Sequence, residues 1–337
     1  MPINRFLAST AVLLFCAHAT AESREAFLKM IERPRVPLAA EAKPSGEFEA
    51  FSYAADARQR APGILIKPKS ANGRLPVVIV LHGTGGNKEG QAGLLRELAG
   101  RGMLAVAIDG RYHGERTKAG KGAVEYNEAI LRAFHTGDEH PFLYDTVWDL
   151  MRLIDYLETR SDVDAARIGL IGFSKGGMET YLAAAVDPRI RVAVPCIGVQ
   201  SFRWALDHDA WKSRVGTFQA AMNASAKASG VEQVDTEFVR KFYDRVAPGV
   251  YSEFDGPTML PLISPRPLLV INGDSDLRTP RPGLMECINA ARKAYAGAGA
   301  ADKFEFLLQE NTGHRVTPAA RARAIEWFER WLLHSNR

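Results

Sequence analysis

Beyond about Phe48 the chain alternates short apolar runs with stretches in which apolar residues recur at helical spacing. The runs are Gly63–Lys67, Pro76–Leu81, Met103–Ile108, Ile168–Ile171, Val192–Ile197, Pro267–Ile271 and Phe304–Leu308. Several are β-branched and none alternates strictly with polar residues, the pattern of strands covered on both faces of a mostly parallel sheet. Between them Val147, Leu150, Met151, Ile154 and Leu157 form one helical stripe, and Met178, Tyr181, Leu182, Ala185 and Val186 form another. Thr317-Pro318 offers an N-cap and a first-turn proline to a last helix that turns Ile325, Phe328, Trp331 and Leu332 inward. Strands and helices in repeated succession predict a doubly wound α/β domain.

One stretch departs from this rhythm. From Gly198 to Pro267 the chain passes through Trp204, Trp211, Phe218, Val231, Phe238, Phe242 and Tyr251 with no run that reads as a strand. It is too long for a passive connection, which predicts a helical cap inserted at about 200–262. Lys43-Pro44-Ser45-Gly46 reads as a loop leading into the domain, and no internal repeat or low-complexity linker is visible.

The N-terminus has a different character. Arg5 precedes an uncharged apolar stretch from Phe6, followed by the small-x-small triplets Ala17-His18-Ala19 and Ala19-Thr20-Ala21. These are the parts of a secretory signal peptide at 1–21, too short for a permanent span. Phe15 before Cys16 argues against lipid attachment. The expectation is a secreted or periplasmic domain over 22–337 with no membrane anchor after cleavage.

Composition narrows the function. With 337 residues, 46% of them hydrophobic and 24% charged, disorder and coiled coil are excluded. The 43 Lys and Arg against 39 Asp and Glu are dispersed, so no nucleic-acid footprint appears, and a small-molecule ligand is the better expectation. Cys196 and Cys287 permit one disulfide without requiring it, Cys196 reading equally as a core residue. No cysteine pair or HExxH spacing suggests a metal, and no nucleotide fingerprint suggests another cofactor.

Chemistry concentrates at Gly172-Phe173-Ser174-Lys175-Gly176-Gly177. Glycines two before and two after a serine permit a sharp strand-to-helix turn that lifts the hydroxyl into the open. The context agrees: the apolar run Ile168–Ile171 precedes it and the stripe from Met178 follows. A serine hydroxyl needs a base, and the base needs an orienting carboxylate. His314, in Asn311-Thr312-Gly313-His314 after the last predicted strand, lies at the carboxyl edge of the sheet, where open α/β sheets bind ligands. Asp274 and Asp276 follow the strand Pro267–Ile271 at the same edge, Asp274 also reading as a turn carboxylate.

The elbow, with serine, aspartate and histidine in that order, resembles the α/β-hydrolase superfamily over roughly Phe48 to Leu333, most closely its dienelactone-hydrolase-like and acetyl-xylan-esterase-like serine hydrolases. The resemblance implies a mostly parallel eight-stranded sheet, Ser174 as nucleophile and His314 as base. It favours Asp276 as the acid through Gly273-x-x-Asp276-x-x-x-Pro280. It also implies an oxyanion hole made by the amides of Lys175 and of Thr84, the latter in His82-Gly83-Thr84-Gly85-Gly86, with His82 structural. True dienelactone hydrolases carry cysteine as nucleophile, which disfavours that substrate. Arg111, Tyr112, Tyr144 and Trp204 are candidate substrate contacts. Arg111 and Tyr112 could equally belong to a loop fixed by ion pairs, Tyr144 to the core, and the Lys175 ammonium could steer an anion or point to solvent.

The expected function is hydrolysis of a small-molecule carboxylic ester through an acyl-enzyme, without cofactor, in an undetermined oligomeric state. Two alternatives remain: a peptidase or amidase of the prolyl-oligopeptidase-like branch, and a non-catalytic binding protein. Peptidases of that branch carry a propeller, for which the short segment before the first clear strand leaves no room. A missing triad member would mark the binding protein, and none is missing.

Overall fold

The computed structural model describes residues 22–70, 73–118 and 123–334, so the expected signal peptide lies outside the described residues. Among the described residues nine strands form one sheet: β1 (Glu41–Ser45), β2 (Phe48–Ala54), β3 (Arg60–Ile66), β4 (Leu75–Leu81), β5 (Leu104–Ile108), β6 (Val163–Phe173), β7 (Ile190–Cys196), β8 (Leu268–Gly273) and β9 (Phe304–Gln309). Their order is β1-β2-β3-β5-β4-β6-β7-β8-β9. From β5 to β9 every pairing is parallel, while β1, β2 and β3 attach antiparallel at one edge. The count exceeds the expected eight because Glu41–Ser45, which reads as a loop, pairs along β2. All five of its residues are exposed, so no apolar run marks it.

Both faces of the sheet are covered, as the continuous apolar runs require. Along β4, Val77, Ile79 and Leu81 enter one apolar layer and Val78 and Val80 the other. The first layer is closed by residues 22–31 (α1), α4 (Tyr144–Glu158), α5 (Lys175–Val186) and α11 (Arg281–Gly297). The second is closed by α2 (Ala92–Gly100) and α12 (Pro318–Phe328). Thr317 caps α12 by accepting from the Ala320 amide.

Between β7 and β8 the chain forms α6 (Phe202–Asp207), α7 (Lys212–Val215), α8 (Gln219–Ala228), α9 (Thr236–Val246) and α10 (Gly256–Met259). Of these, α8 and α9 pack with α3 (Val124–Thr136), and Phe142, Phe202, Phe218, Phe242 and Tyr243 gather there, their rings meeting at centroid distances of 4.8 to 6.5 Å. Asp255 ties the two ends of the insertion together, accepting from the amides of Phe202, Arg203 and Gly256 and from the Ser201 hydroxyl. Burial nevertheless pushes its pKa up to about 6. Cys196 and Cys287 are free and buried in opposite layers.

Candidate active site

β6 runs into the buried α5 through Ser174, whose backbone has φ 56° and ψ −112°. A non-glycine residue rarely adopts such a conformation, and close packing holds it there. A Cβ on Gly172 would lie 2.1 Å from the Gly176 carbonyl oxygen, and one on Gly198 would lie 2.4 Å from the Ser174 carbonyl oxygen. The Ser174 amide donates to the Cys196 carbonyl at 2.9 Å, locking the turn to β7. These contacts are why β6 requires glycine at its next-to-last position and why β7 is followed by another.

Two loops at the carboxyl edge complete the site. After β9, His314 is brought over the elbow so that its Nε2 lies 2.8 Å from Ser174 Oγ. After β8, Asp276 lies 2.8 and 3.0 Å from His314 Nδ1 through its two oxygens. A carboxylate only accepts, so Nδ1 carries the hydrogen and Nε2 is left to accept from the serine hydroxyl. Burial raises the pKa of Asp276, but hydrogen bonds from His314, the Arg278 amide and Thr279 outweigh it and hold the group below its ordinary 3.8. Asp276 is therefore ionised at neutral pH. Asp274 instead accepts from the amides of Asn311 and Thr312 and so shapes the histidine loop.

The expected donors belong to segments that adjoin Ser174. Lys175 is the first residue of α5, where amides are unpaired within the helix and the dipole favours negative charge. Gly83 packs on Ser174, since an added Cβ would sit 3.4 Å from the Ser174 Cβ, and the Thr84 amide follows it in the chain. His82 is buried beneath, its Nδ1 2.8 Å from the Gly83 carbonyl and its Nε2 accepting from the Gly110 amide at 3.0 Å. Burial and the nearby Lys175 ammonium lower its pKa to about 4, so it is neutral and braces the loop. A hydroxyl bonded to an imidazole that is held by an ionised carboxylate, beside helix-end amides, can pass a proton and hold developing negative charge.

Two known protein families match the chain. The model described as prolyl oligopeptidase family matches residues 132–335, more than half of the chain, and that of acetyl xylan esterase (AXE1) matches 42–207. The chain belongs to the prolyl oligopeptidase family of α/β-hydrolases and is similar over 42–207 to acetyl xylan esterase. A Bacillus subtilis (strain 168) protein named as a hydrolase, YtaP, is 28% identical over 287 residues, spanning 81% of this hydrolase and 84% of the relative. A 4-O-methyl-glucuronoyl methylesterase of Podospora anserina is 25% identical over 55% of this hydrolase and 38% of its own length. Among solved structures, an acetyl xylan esterase from Paenibacillus sp. R4 superposes with a TM-score of 0.64 at 22% identity, covering 95% and 94% of the two chains.

The remaining candidate contacts of the hydrolase have partners of their own. Arg111 is buried and forked onto Asp149, with a further bond to Asp56. Together with Tyr112, whose hydroxyl donates to Glu139, it borders a separate cleft of about 580 Å³ that includes neither Ser174 nor His314. The loop is thus fixed by ion pairs, with Asp149 on α4 taking Arg116 as well. Tyr144 is fully buried and donates to the Pro248 carbonyl at 2.9 Å. Trp204 stacks on His208 and packs against Gly283 of α11. The Lys175 side chain neither steers a ligand nor reaches solvent. It turns down to a buried ion pair with Glu179, one helical turn on, and lies 5.7 Å over the Tyr126 ring. The i, i+4 spacing was the available signal for that pair. Nothing in the local sequence shows that Gly198 braces the elbow.

Proposed function

We propose that this carboxylic-ester hydrolase works through an acyl-enzyme, with Ser174 as nucleophile, His314 as general base and Asp276 as the acid that fixes the imidazole. The observation that carries the reading is the unbroken hydrogen-bonded chain from Ser174 through His314 to Asp276. As Oγ attacks the ester carbonyl, its proton passes to Nε2 and the imidazolium is stabilised by Asp276. The carbonyl oxygen becomes an oxyanion that meets the amides of Thr84 and Lys175, each such donor contributing about 3 kcal/mol to the transition state. His314 then protonates the departing alcohol. Water, activated by the same imidazole, releases the acid and restores the hydroxyl.

Relatives named for acetyl xylan and 4-O-methyl-glucuronoyl esters support a carbohydrate ester as the substrate. Amide cleavage is the second reading, favoured by the prolyl oligopeptidase match over 132–335. Rates on p-nitrophenyl acetate, acetylated xylan and an aminoacyl anilide, each with wild type and Ser174→Ala, test both. Ester hydrolysis that vanishes in the variant, with the anilide slow, supports the ester reading; hydrolysis retained by Ser174→Ala overturns the mechanism. Export with removal of 1–21 is proposed from the apolar N-terminal stretch and its small-residue triplets. The mass of the secreted protein checks it.

A further inference from the structure

Among the described residues Arg111, Arg152 and Arg214 are the buried arginines. Arg111 has Asp149 and Asp56, and Arg152 has Asp155. Arg214, on α7 of the insertion and 1% exposed, meets only neutral oxygens. Its Nε and Nη2 donate to Gln200 Oε1 at 3.3 and 2.9 Å, and Nη2 donates to the Arg278 carbonyl at 3.1 Å. Its Nη1 has no partner, and neither has Gln200 Nε2. Arg116 and Arg152 also leave one nitrogen unpaired, but each has its carboxylate. A guanidinium does not shed its proton in a protein, so Arg214 is a buried cation with no carboxylate bonded to it, an arrangement that opposes folding.

Its position links that charge to the reacting atoms. Arg278, whose carbonyl it holds, donates its amide to Asp276 Oδ1 at 2.9 Å. Gln200 lies two residues beyond Gly198, which packs on the Ser174 carbonyl. The guanidinium is therefore fastened to the acid loop on one side and to the wall of the elbow on the other. Asp276, the nearby anion, is committed to His314 and the Arg278 amide. What the site lacks is a planar acceptor of single negative charge, which a guanidinium edge fits best.

We propose that Arg214 recognises a carboxylate that the substrate carries apart from the ester being cleaved. The proposal rests on the ester-hydrolase reading and narrows its substrate to esters of acidic compounds. Nη1 is closed to solvent in this structure, so the carboxylate enters with an outward shift of the four-residue α7, which runs between Trp211 and Gly216. The ion pair formed there supplies the missing counter-charge.

The p-nitrophenyl monoesters of succinate, glutarate and adipate, compared with the butyrate, pentanoate and hexanoate esters, test this. In wild type at least one anionic ester is preferred over its neutral partner in kcat/KM. Arg214→Met lowers that ratio roughly ten- to hundredfold, the range of a lost charge-assisted bond, chiefly through KM. Arg214→Lys, which keeps the charge without the fork, restores part of it. No preference in wild type, or an equal loss on both series in Arg214→Met, overturns the proposal while leaving the ester reading intact; activity surviving in Ser174→Ala overturns that reading instead. Should Arg214→Met not fold, inhibition of wild type decides: glutarate competes and glutaramide does not, and equal inhibition refutes the assignment. Acetate that raises Tm without inhibiting would mark a free-anion site and also refute it.

Discussion

Ser174 concentrates two demands at one residue, exposure of a hydroxyl and a backbone at φ 56° that other residues avoid. Such strain costs about 1 to 3 kcal/mol, and glycine is relieved of most of it. Ser174→Gly is accordingly expected to raise stability by about 1 kcal/mol relative to Ser174→Ala, both being inactive; chemical denaturation measures the difference, and equal midpoints would show the turn to be relaxed. Asp276→Asn keeps the shape but offers the imidazole an amide that can stabilise the wrong tautomer. A loss of about 10⁴ in kcat is expected with Tm little changed, and a loss below tenfold would mean that Asp276 does not orient His314. That these three meet could be read ahead because each follows an apolar run at one sheet edge: Ser174 after Ile168–Ile171, Asp276 after Pro267–Ile271, His314 after Phe304–Leu308. Arg111 and Lys175 were open to misreading because whether a charge faces a ligand or a buried partner depends on distant chain. Asp149 lies 38 positions from Arg111, and no local pattern announces it.

The parallel strands were legible as elements because burial on both faces demands unbroken apolar runs. β6 is longer than its run Ile168–Ile171 suggests, since Val163–Arg167, interrupted by Asp164 and ending in Arg167, continues the ladder toward β4. β1 was hidden altogether, its residues having nothing apolar to bury. Asp149 joins two elements that the sequence does not connect, α4 and the loop after β5. Burial alone would raise its pKa, yet Arg111 and Arg116 bring it down to about 2. A carboxylate depressed in the fold contributes its stability above its ordinary value of 3.8 and loses it as pH falls through the folded value. Asp149→Asn should therefore destabilise by about 3 kcal/mol at pH 7, because two buried guanidinium groups lose their shared anion. The deficit should persist to about pH 4 and close towards pH 2. Urea midpoints across that range decide it, and a deficit independent of pH would assign the loss to packing.

For the molecule as a whole, the proposed export bears on the cysteines. A chain entering an oxidising compartment with two cysteines has the material for a bridge, and the sequence alone left that open. The fold settles it by geometry: Cys196 lies in the layer closed by α2 and α12, Cys287 in the layer closed by α4, α5 and α11, with the sheet between them. Each sulfur meets a carbonyl of its own element, Val194 for Cys196 and Gly283 for Cys287. Burial pushes both thiols above their ordinary 9.0, which withholds the reactive thiolate. Native protein cut before residue 22 should thus leave a disulfide-exchange reagent unreacted, and Tm should be the same with and without reductant. After unfolding, two thiols per chain should titrate if 1–21 has been removed and three if Cys16 remains. The same titration thereby tests the packing of the two layers and the proposed processing. A fast native thiol in the processed protein would show that one layer opens, and a Tm lowered by reductant would show that a bridge forms despite the intervening sheet.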